Sequence, residues 1–159
     1  MSQAAKSKID PLNRNQYSAI SAMLTVTDVQ KAYEFCQKAF GFEGRGIMQG
    51  PDGKAMHAEL KLRDSVVMLG PEWPAHQSVS AKTLGNTPAS LYLLVEDVDK
   101  VTKQAANAGA TVRQEPTDMF WGDRTSLVTD PDGNKWMLAT HKSEPTPAEM
   151  EAAMKKQMS

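Results

Sequence analysis

The stretch WGDRTSLVTDPDGNKWMLATH, Trp121–His141, decides the fold because it predicts two strands joined by a tight turn. The turn is Asp130–Gly133, where proline presets an early turn position and glycine tolerates a positive φ. In the returning strand, period-two alternation places Trp136 and Leu138 on one face and Met137 on the other. The second face of a strand usually meets solvent, so a methionine at its centre requires an explanation.

Outward from this hairpin, the chain repeats one order of elements twice. VTDVQKAYEF and VEDVDKVTKQ begin equivalent helices after a strand, and Gly41 and Gly109 end them. The predicted strands are 17–26, 42–49, 55–62 and 65–70 in the first copy, and 89–95, 111–115, 124–129 and 135–140 in the second. We therefore predict an α+β fold made of two tandem βαβββ modules, residues 17–70 and 88–141.

Three segments lie outside the two modules. Residues 1–16 are polar and are predicted to be disordered, and the segment after residue 70 is predicted to be a long loop. Residues 142–159 predict a separate short helix, with Thr146 and Glu149 forming a capping box and Pro147 at the first helical position.

Composition limits the classes of protein to which the chain can belong. It has 159 residues, 18 basic and 19 acidic residues in mixed order and a net charge of -1, so neither a nucleic-acid partner nor an acidic tail is expected. A single cysteine, Cys36, excludes an internal disulfide. No apolar run reaches membrane-spanning length, so we expect a cytoplasmic protein with no membrane partner.

The duplicated module resembles the vicinal oxygen chelate superfamily, which holds glyoxalase I, extradiol dioxygenases, fosfomycin-resistance thiol transferases and bleomycin-binding proteins. AFGFE, MHAELKL, LYLLVEDVDKV, NAGATV and MFWGDRTSLVTDPDGNKWMLATH are similar in style to its glyoxalase-like subgroup, which includes the phosphonate-operon B protein. The resemblance covers residues 17–141. It implies that the modules form a cup-shaped mixed sheet whose two halves meet around a pocket.

The resemblance also implies where a metal site would lie. Metal enzymes of the family place His, Gln or Glu at four inward positions, which here correspond to Ser21, Met68, Ser90 and Met137. Serine hydroxyls and thioethers are poor ligands for hard or borderline divalent ions. We therefore expect no metal and no other cofactor, and we expect Met137 to face the pocket.

Other polar and aromatic residues are candidates for the same pocket. His57 and Glu59 share a strand face and could support acid–base chemistry, or they could form an ordinary wet face. Tyr92 and Trp121 are expected to offer a phenol and an aromatic ring to a ligand. Arg124 could clamp an anion, or it could form a structural pair that holds the preceding loop.

Three functions remain open from the sequence. The first is a metal-free protein that binds a small, partly aromatic molecule, as antibiotic-sequestering relatives do. The second is a glyoxalase-type lyase, isomerase or transferase that uses a displaced metal site or His57 and Glu59. The third is a partner-binding module. In each case we expect a homodimer, because relatives bury exposed sheet edges by pairing.

Overall fold

The structure, a computed structural model, describes residues 9–158. Its strands are β1 (Ala22–Val26), β2 (Glu43–Gln49), β3 (Ala55–Leu62), β4 (Ser65–Pro71), β5 (Ser90–Leu94), β6 (Thr111–Asp118), β7 (Asp123–Thr129) and β8 (Lys135–His141). Its helices are α1 (Val29–Phe40), the short α2 (Ala81–Leu84), α3 (Val98–Ala108) and α4 (Pro147–Met158). The predicted α+β fold with two βαβββ modules and a C-terminal helix is confirmed.

Helices α1 and α3 begin and end as their sequences predict. The Asp28 carboxylate accepts a hydrogen bond from the Lys31 amide, and the Asp97 carboxylate accepts one from the Lys100 amide. Gly41 then ends α1 in the left-handed conformation, with φ of 74°. These local signals set where each helix begins and where it ends.

The two sheets have the same topology. The strand orders are β1-β4-β3-β2 and β5-β8-β7-β6, with the first strand of each module parallel to the last. Each sheet buries the face that meets its helix. In β8 this face carries Trp136, 1% exposed, and Leu138, 0% exposed, as the alternation predicted.

The two modules share one hydrophobic core. Helices α1 and α3 pack against each other, and residues from both modules form a single buried cluster. Phe40 lies 4.6 Å from the Trp136 ring, centroid to centroid, and Phe42 lies 6.1 Å from it. The Trp136 indole also donates to the buried Asp130 carboxylate, which ties the β7–β8 turn to the core.

The structure differs from the predicted elements in three segments. Strand β1 begins at Ala22 rather than at Tyr17, and the Tyr17 hydroxyl donates to the Glu59 carboxylate. The predicted loop after residue 70 contains a 3-10 turn (Pro74–His76) and α2. Of the segment predicted to be disordered, residues 1–8 lie outside the described residues, and residues 9–16 form turns.

The C-terminal helix keeps its predicted cap and makes few contacts. The Glu149 carboxylate accepts from the Thr146 amide at 2.7 Å, and the Glu149 amide donates to the Thr146 hydroxyl at 3.3 Å. Only Met150 and Ala153 are half-buried on α4, whose remaining described side chains are exposed. Within residues 9–158, no helix is both long and apolar enough to cross a membrane.

Candidate functional site

Each sheet has an outward face, defined here as the face turned away from the helices. In the first module, Met23 on β1 and Met68 on β4 are register partners on this face. Met23 is 69% exposed, and Met48 on β2 is exposed as well. The outward face of the first sheet therefore carries three methionines, of which Met23 and Met48 are open to solvent and Met68 is half-buried.

Ser21 immediately precedes β1 and shares the side of Met23. Among the described residues, its hydroxyl is buried without a hydrogen-bond partner. Buried polar groups are nearly always hydrogen-bonded, and an unpaired one costs free energy. A hydrogen-bonding group from outside residues 9–158 would therefore lower the free energy at position 21.

A polar cluster around Glu59 lies on the same face. The Tyr17 hydroxyl donates to Glu59 Oε1 at 2.7 Å, and His57 Nε2 lies 3.4 Å from the same oxygen. Arg45 lies 3.5 Å from the other carboxylate oxygen, with its guanidinium 5.0 Å from the centre of the Tyr17 ring. Both Glu59 oxygens are therefore already engaged by neighbouring side chains.

These contacts keep Glu59 ionised. Burial raises the pKa of Glu59, but the hydrogen bonds from Tyr17 and His57 and the charge of Arg45 outweigh it and lower the pKa below its usual value. The sequence placed His57 and Glu59 on one face, which the burial pattern of β3 follows. It did not identify Tyr17, since no local signal indicates a contact between residues 42 positions apart.

The outward face of the second module centres on Tyr92 and Met137, register partners on β5 and β8. Tyr92 is 49% exposed and Met137 is half-buried. Ser90 lies two residues before Tyr92 on the same face and is exposed. The structure therefore brings Ser90, Tyr92 and Met137 together as predicted neighbours on one surface.

A second polar cluster borders this surface. The Tyr92 hydroxyl donates to Asp123 Oδ2 at 2.5 Å, and the Trp121 indole donates to the Tyr92 oxygen at 3.4 Å. His141 Nδ1 lies 2.7 Å from Asp123 Oδ1, and His141 Nε2 lies 2.8 Å from Glu144 Oε1. A doubly protonated imidazolium can donate to both carboxylates at once.

Within this cluster, the carboxylates and the imidazole each stabilise the charged form of the other. Hydrogen bonds from Tyr92 and then His141 lower the pKa of Asp123, although burial alone would raise it. The carboxylates of Asp123 and Glu144 raise the pKa of His141. Asp123 and Glu144 were not among the predicted binding residues, since their role depends on how the chain after β8 folds back.

The segment after β8 holds the loop that carries Trp121. The amides of Lys142 and Ser143 both donate to the Gly122 carbonyl, at 2.9 and 3.0 Å. Gly122 has a φ of 101°, and a Cβ there would collide with the Ser143 carbonyl and the Pro145 ring. Glycine at 122 therefore allows the C-terminal segment to pass close to the loop and to fix Trp121 beside Tyr92.

Arg124 does not join this surface. Its guanidinium makes two hydrogen bonds to the Asp99 carboxylate, at 2.8 and 3.0 Å, and one to Asp118 at 3.1 Å. It alternates with Thr125 and shares the helix side of β7 with Ser126. The Arg124 guanidinium is therefore engaged by carboxylates of this chain, with Asp99 of α3 as its main partner.

The predicted site residues form two groups rather than one. Ser21, His57, Glu59 and Met68 belong to the first outward face, whereas Ser90, Tyr92, Trp121 and Met137 belong to the second. Because the helix sides of both sheets enclose one shared core, the outward faces are turned away from each other. Within one chain, the two halves of the expected cup therefore do not meet.

The donor atoms at the four expected metal positions do not fit a divalent ion. They are two serine hydroxyls and two thioethers, which bind hard and borderline ions weakly. Across residues 9–158, no group of three or more His, Cys, Asp or Glu side chains is arranged to hold a metal. The polar clusters on the outward faces are thus linked by hydrogen bonds and ion pairs between side chains.

Known proteins are similar to this chain in sequence and in fold. Rv0887c, an uncharacterized protein of Mycobacterium tuberculosis (strain ATCC 25618 / H37Rv), is 39% identical over 151 residues, covering 93% of this chain and 89% of that protein. The crystal structure of TioX from Micromonospora sp. ML1 is 28% identical, with a TM-score of 0.58 over 77% of this chain and 97% of that one.

A more distant structure has the same fold. A gene product of Arabidopsis thaliana is 24% identical, with a TM-score of 0.62 over 77% of this chain and 98% of that chain. The family described as the Glyoxalase/Bleomycin resistance protein/Dioxygenase superfamily matches residues 18–138, from just before β1 into β8. The match spans both modules, and the chain belongs to the Glyoxalase/Bleomycin resistance protein/Dioxygenase superfamily.

Proposed function

We propose that this protein binds a small, partly aromatic molecule, without a metal, between outward faces of its sheets. Within the superfamily we assign it to the metal-free binding proteins of the bleomycin-resistance type, with a sequence like that of the phosphonate-operon B subgroup. Sequestration of an antibiotic in the cytoplasm is the role that such a protein would serve.

The observation that carries this proposal is that methionines occupy two of the four positions where metal ligands would lie. Met68 lies beside Met23, and Met137 lies beside Tyr92, each pair on an open outward face. Unbranched thioether side chains adapt to irregular apolar ligands and make favourable contacts with aromatic rings. These faces therefore suit dispersion contacts with a planar molecule better than coordination of an ion.

Polar groups on the second face would orient such a ligand. The Tyr92 hydroxyl donates a hydrogen bond to Asp123 and accepts one from Trp121, so its oxygen offers a ligand one remaining acceptor position. Trp121 is held beside it by the contacts of Gly122 and can stack on a planar ring. A ligand with an aromatic ring and an adjacent N–H or O–H donor satisfies both groups.

A second copy of the chain would complete the cup. Small-molecule sites bury most of the surface of their ligand, and one outward face can cover only one side of it. We propose a homodimer in which the first module of one protomer faces the second module of its partner. The exposed apolar side chains Met23, Met48, Tyr92 and Leu94 would then become the lining and the rim of two equivalent cups.

The test combines metal analysis with a ligand screen. Protein purified without added metal is analysed for zinc, nickel, manganese and iron, and we expect no stoichiometric ion. A panel of planar antibiotics and small aromatic acids is then screened by thermal shift, since a ligand stabilises the folded state by mass action.

A matched pair of variants locates the site of any hit. Met137→Gln should weaken binding at least tenfold, whereas Met154→Gln, a partly exposed methionine on α4, should leave the affinity unchanged. Equal effects of the two substitutions, or about one metal ion per chain, would refute the proposal. A panel without any stabilising compound would favour the partner-binding module instead.

The second candidate is a glyoxalase-type lyase, isomerase or transferase, favoured by the contact between His57 and Glu59. These side chains share a face with the buried Ser21 hydroxyl and could hold or move a proton. Glu59 would first have to release the Tyr17 hydroxyl, its shortest contact. A bound metal that is lost in His57→Ala would establish this candidate and displace the first.

A further inference from the structure

The segment that precedes β1 reaches the first outward face and ends there in an aromatic side chain. We define residues 9–17 as the N-terminal strap. Within the strap, the amides of Gln16 and Tyr17 both donate to the Asn13 carbonyl, at 3.0 and 3.1 Å. The strap is therefore a tight turn that presents Tyr17 to the surface of the sheet.

Side chains hold the strap to the rest of the chain. The Tyr17 hydroxyl donates to Glu59, and the Arg45 guanidinium donates to the carbonyl and the side-chain oxygen of Gln16, at 3.2 and 3.0 Å. Among the contacts described for residues 9–158, no backbone–backbone hydrogen bond joins the strap to a strand. The strap can therefore lift away without breaking the pairing of the sheet.

Two groups of the sheet contact the phenol of Tyr17 in different ways. Glu59 accepts from its hydroxyl at 2.7 Å, and the Arg45 guanidinium lies 5.0 Å from the centre of its ring, within the range of a cation–π contact. The side chains of Arg45 and Glu59 are only 22% and 21% exposed, so water shields these contacts incompletely. The pair thus contacts both parts of a phenol, the hydroxyl and the ring.

The charge of this pair favours a neutral ligand with an O–H donor. The hydrogen bond to Glu59 raises the pKa of Tyr17, so the phenol keeps its proton at neutral pH. The ionised Glu59 accepts strongly from such a donor, but it would repel a carboxylate or a phenolate placed at the same position. An aromatic ring without a hydroxyl would leave the Glu59 oxygen without the donor that it has now.

The surroundings of Glu59 also suit an aromatic ring. Met68 is its register partner on β4, and Met68 in turn pairs with Met23 on β1. Thioethers make favourable contacts with aromatic rings. The same face carries the buried Ser21 hydroxyl, which has no partner among the described residues. The strap therefore satisfies only part of the polar chemistry of this face.

We propose that Glu59 and Arg45 form a binding site for phenols, which Tyr17 occupies as an internal ligand that an external phenol displaces. This inference rests on the proposed function, because it names the class of aromatic ligand and the face that holds its hydroxyl. The hydroxyl of the ligand would replace that of Tyr17 on Glu59, and its ring would lie under Arg45. Since a tethered group competes at an effective concentration of about millimolar, the strap would exclude weakly binding molecules.

The probe for this site is 4-methylphenol, which is the tyrosine side chain without its backbone. It is titrated into the full-length protein and into the full-length Tyr17→Ala variant, and amide signals are followed by two-dimensional NMR. We expect saturable shifts at His57, Glu59 and Met68, with at least fivefold tighter binding to the variant. The control compound 4-methylanisole keeps the ring and the oxygen but lacks the O–H, so it should bind the variant at least tenfold more weakly.

Equal affinities for the two chains, or for the two compounds, would overturn the inference. No binding of millimolar 4-methylphenol to Tyr17→Ala would also overturn it. Shifts confined to Tyr92 and Met137 would do the same while leaving the proposed function in place. Conversely, binding at Glu59 that Met137→Gln leaves unchanged would support this site and count against the shared cup.

A matched pair of carboxylate variants separates recognition from general charge. In the Tyr17→Ala background, Glu59→Gln should weaken 4-methylphenol binding at least fivefold, since an amide oxygen is a weaker acceptor than a carboxylate. Glu96→Gln removes an exposed carboxylate before α3 and should leave the affinity unchanged. Equal effects of the two substitutions would refute the site. Tyr17 and Glu59 are only half-buried, so these variants leave the core intact.

Discussion

Tyr92 and Met137 are direct register partners on the parallel strands β5 and β8, and both side chains turn away from the helices. The next residue along β8, Leu138, is 0% exposed and lies in the shared core. Of these two neighbours on β8, Met137 thus faces the proposed ligand surface and Leu138 faces the buried core. Met137 and Leu138 both carry non-aromatic apolar side chains, so the difference between them lies in their surroundings.

Glutamine at these two positions should have very different effects on stability. Met137→Gln should change the free energy of unfolding by less than about 1 kcal/mol, since water can reach the new amide. Leu138→Gln should cost about 3 kcal/mol or more, because it removes core packing and buries an unpaired amide. For a chain of this size, that cost lowers the melting temperature by about 6–12 °C. Thermal unfolding followed by circular dichroism measures both, and a more severe Met137→Gln would reverse the assignment of the two faces.

Protonation of His141 should stabilise the fold in acid. Asp123 and Glu144 raise the pKa of His141 in the folded state. The stability that this residue contributes is therefore fully present below its unfolded pKa of about 6.5. It is lost as pH rises through the folded pKa. The lowered pKa of Asp123 keeps that carboxylate charged throughout this window. His141→Gln should therefore lower the melting temperature more at pH about 5.5 than at pH about 9.

The control for this pH dependence is His76→Gln. His76 is exposed and packs its ring against Trp73, with no ion pair among the contacts described. Its replacement should shift the melting temperature equally at both pH values. A His141→Gln effect that is also independent of pH would show that the imidazole acts through packing rather than charge.

Gly122→Ala should be more destabilising than an alanine at another glycine of positive φ. At Gly53, with φ of 77°, a Cβ has no atom within 4 Å, so alanine there adds only backbone strain of about 1–2 kcal/mol. At Gly122 the same strain is joined by the collision with Ser143 and Pro145. Urea unfolding of the two variants should rank Gly122→Ala as the less stable, and equal losses would mean that the C-terminal segment moves aside at little cost.

The protein should be a homodimer held together by its outward faces. Light scattering at micromolar concentration should give twice the chain mass, because Met23 and Tyr92 leave large apolar areas open to water. Met23→Lys or Tyr92→Lys should shift the mass toward a monomer, while Met154→Lys on α4 should not. A monomer mass for the unmodified protein would contradict the shared cup.

Much of this architecture follows from local rules that can be read along the chain. Asp28 and Asp97 cap α1 and α3, Thr146 and Glu149 cap α4, and the alternation around Met137 defines which face of β8 is buried. Each of these features depends on backbone geometry within a few residues. For that reason the sequence alone was sufficient to predict two βαβββ modules and which face of β8 is buried.

Only the tertiary structure decided what those faces meet. Packing of α1 against α3 turned the outward faces away from each other, and no local pattern encodes that choice. The same is true of the contact between Tyr17 and Glu59, 42 positions apart, and of Arg124, which Asp99 of α3 holds on the helix side. Side-chain partners far apart in sequence are selected by the packing of whole elements, so only the fold decides which residues share a surface. The chemistry of those residues, methionine and serine in place of metal ligands, can be read from the sequence alone.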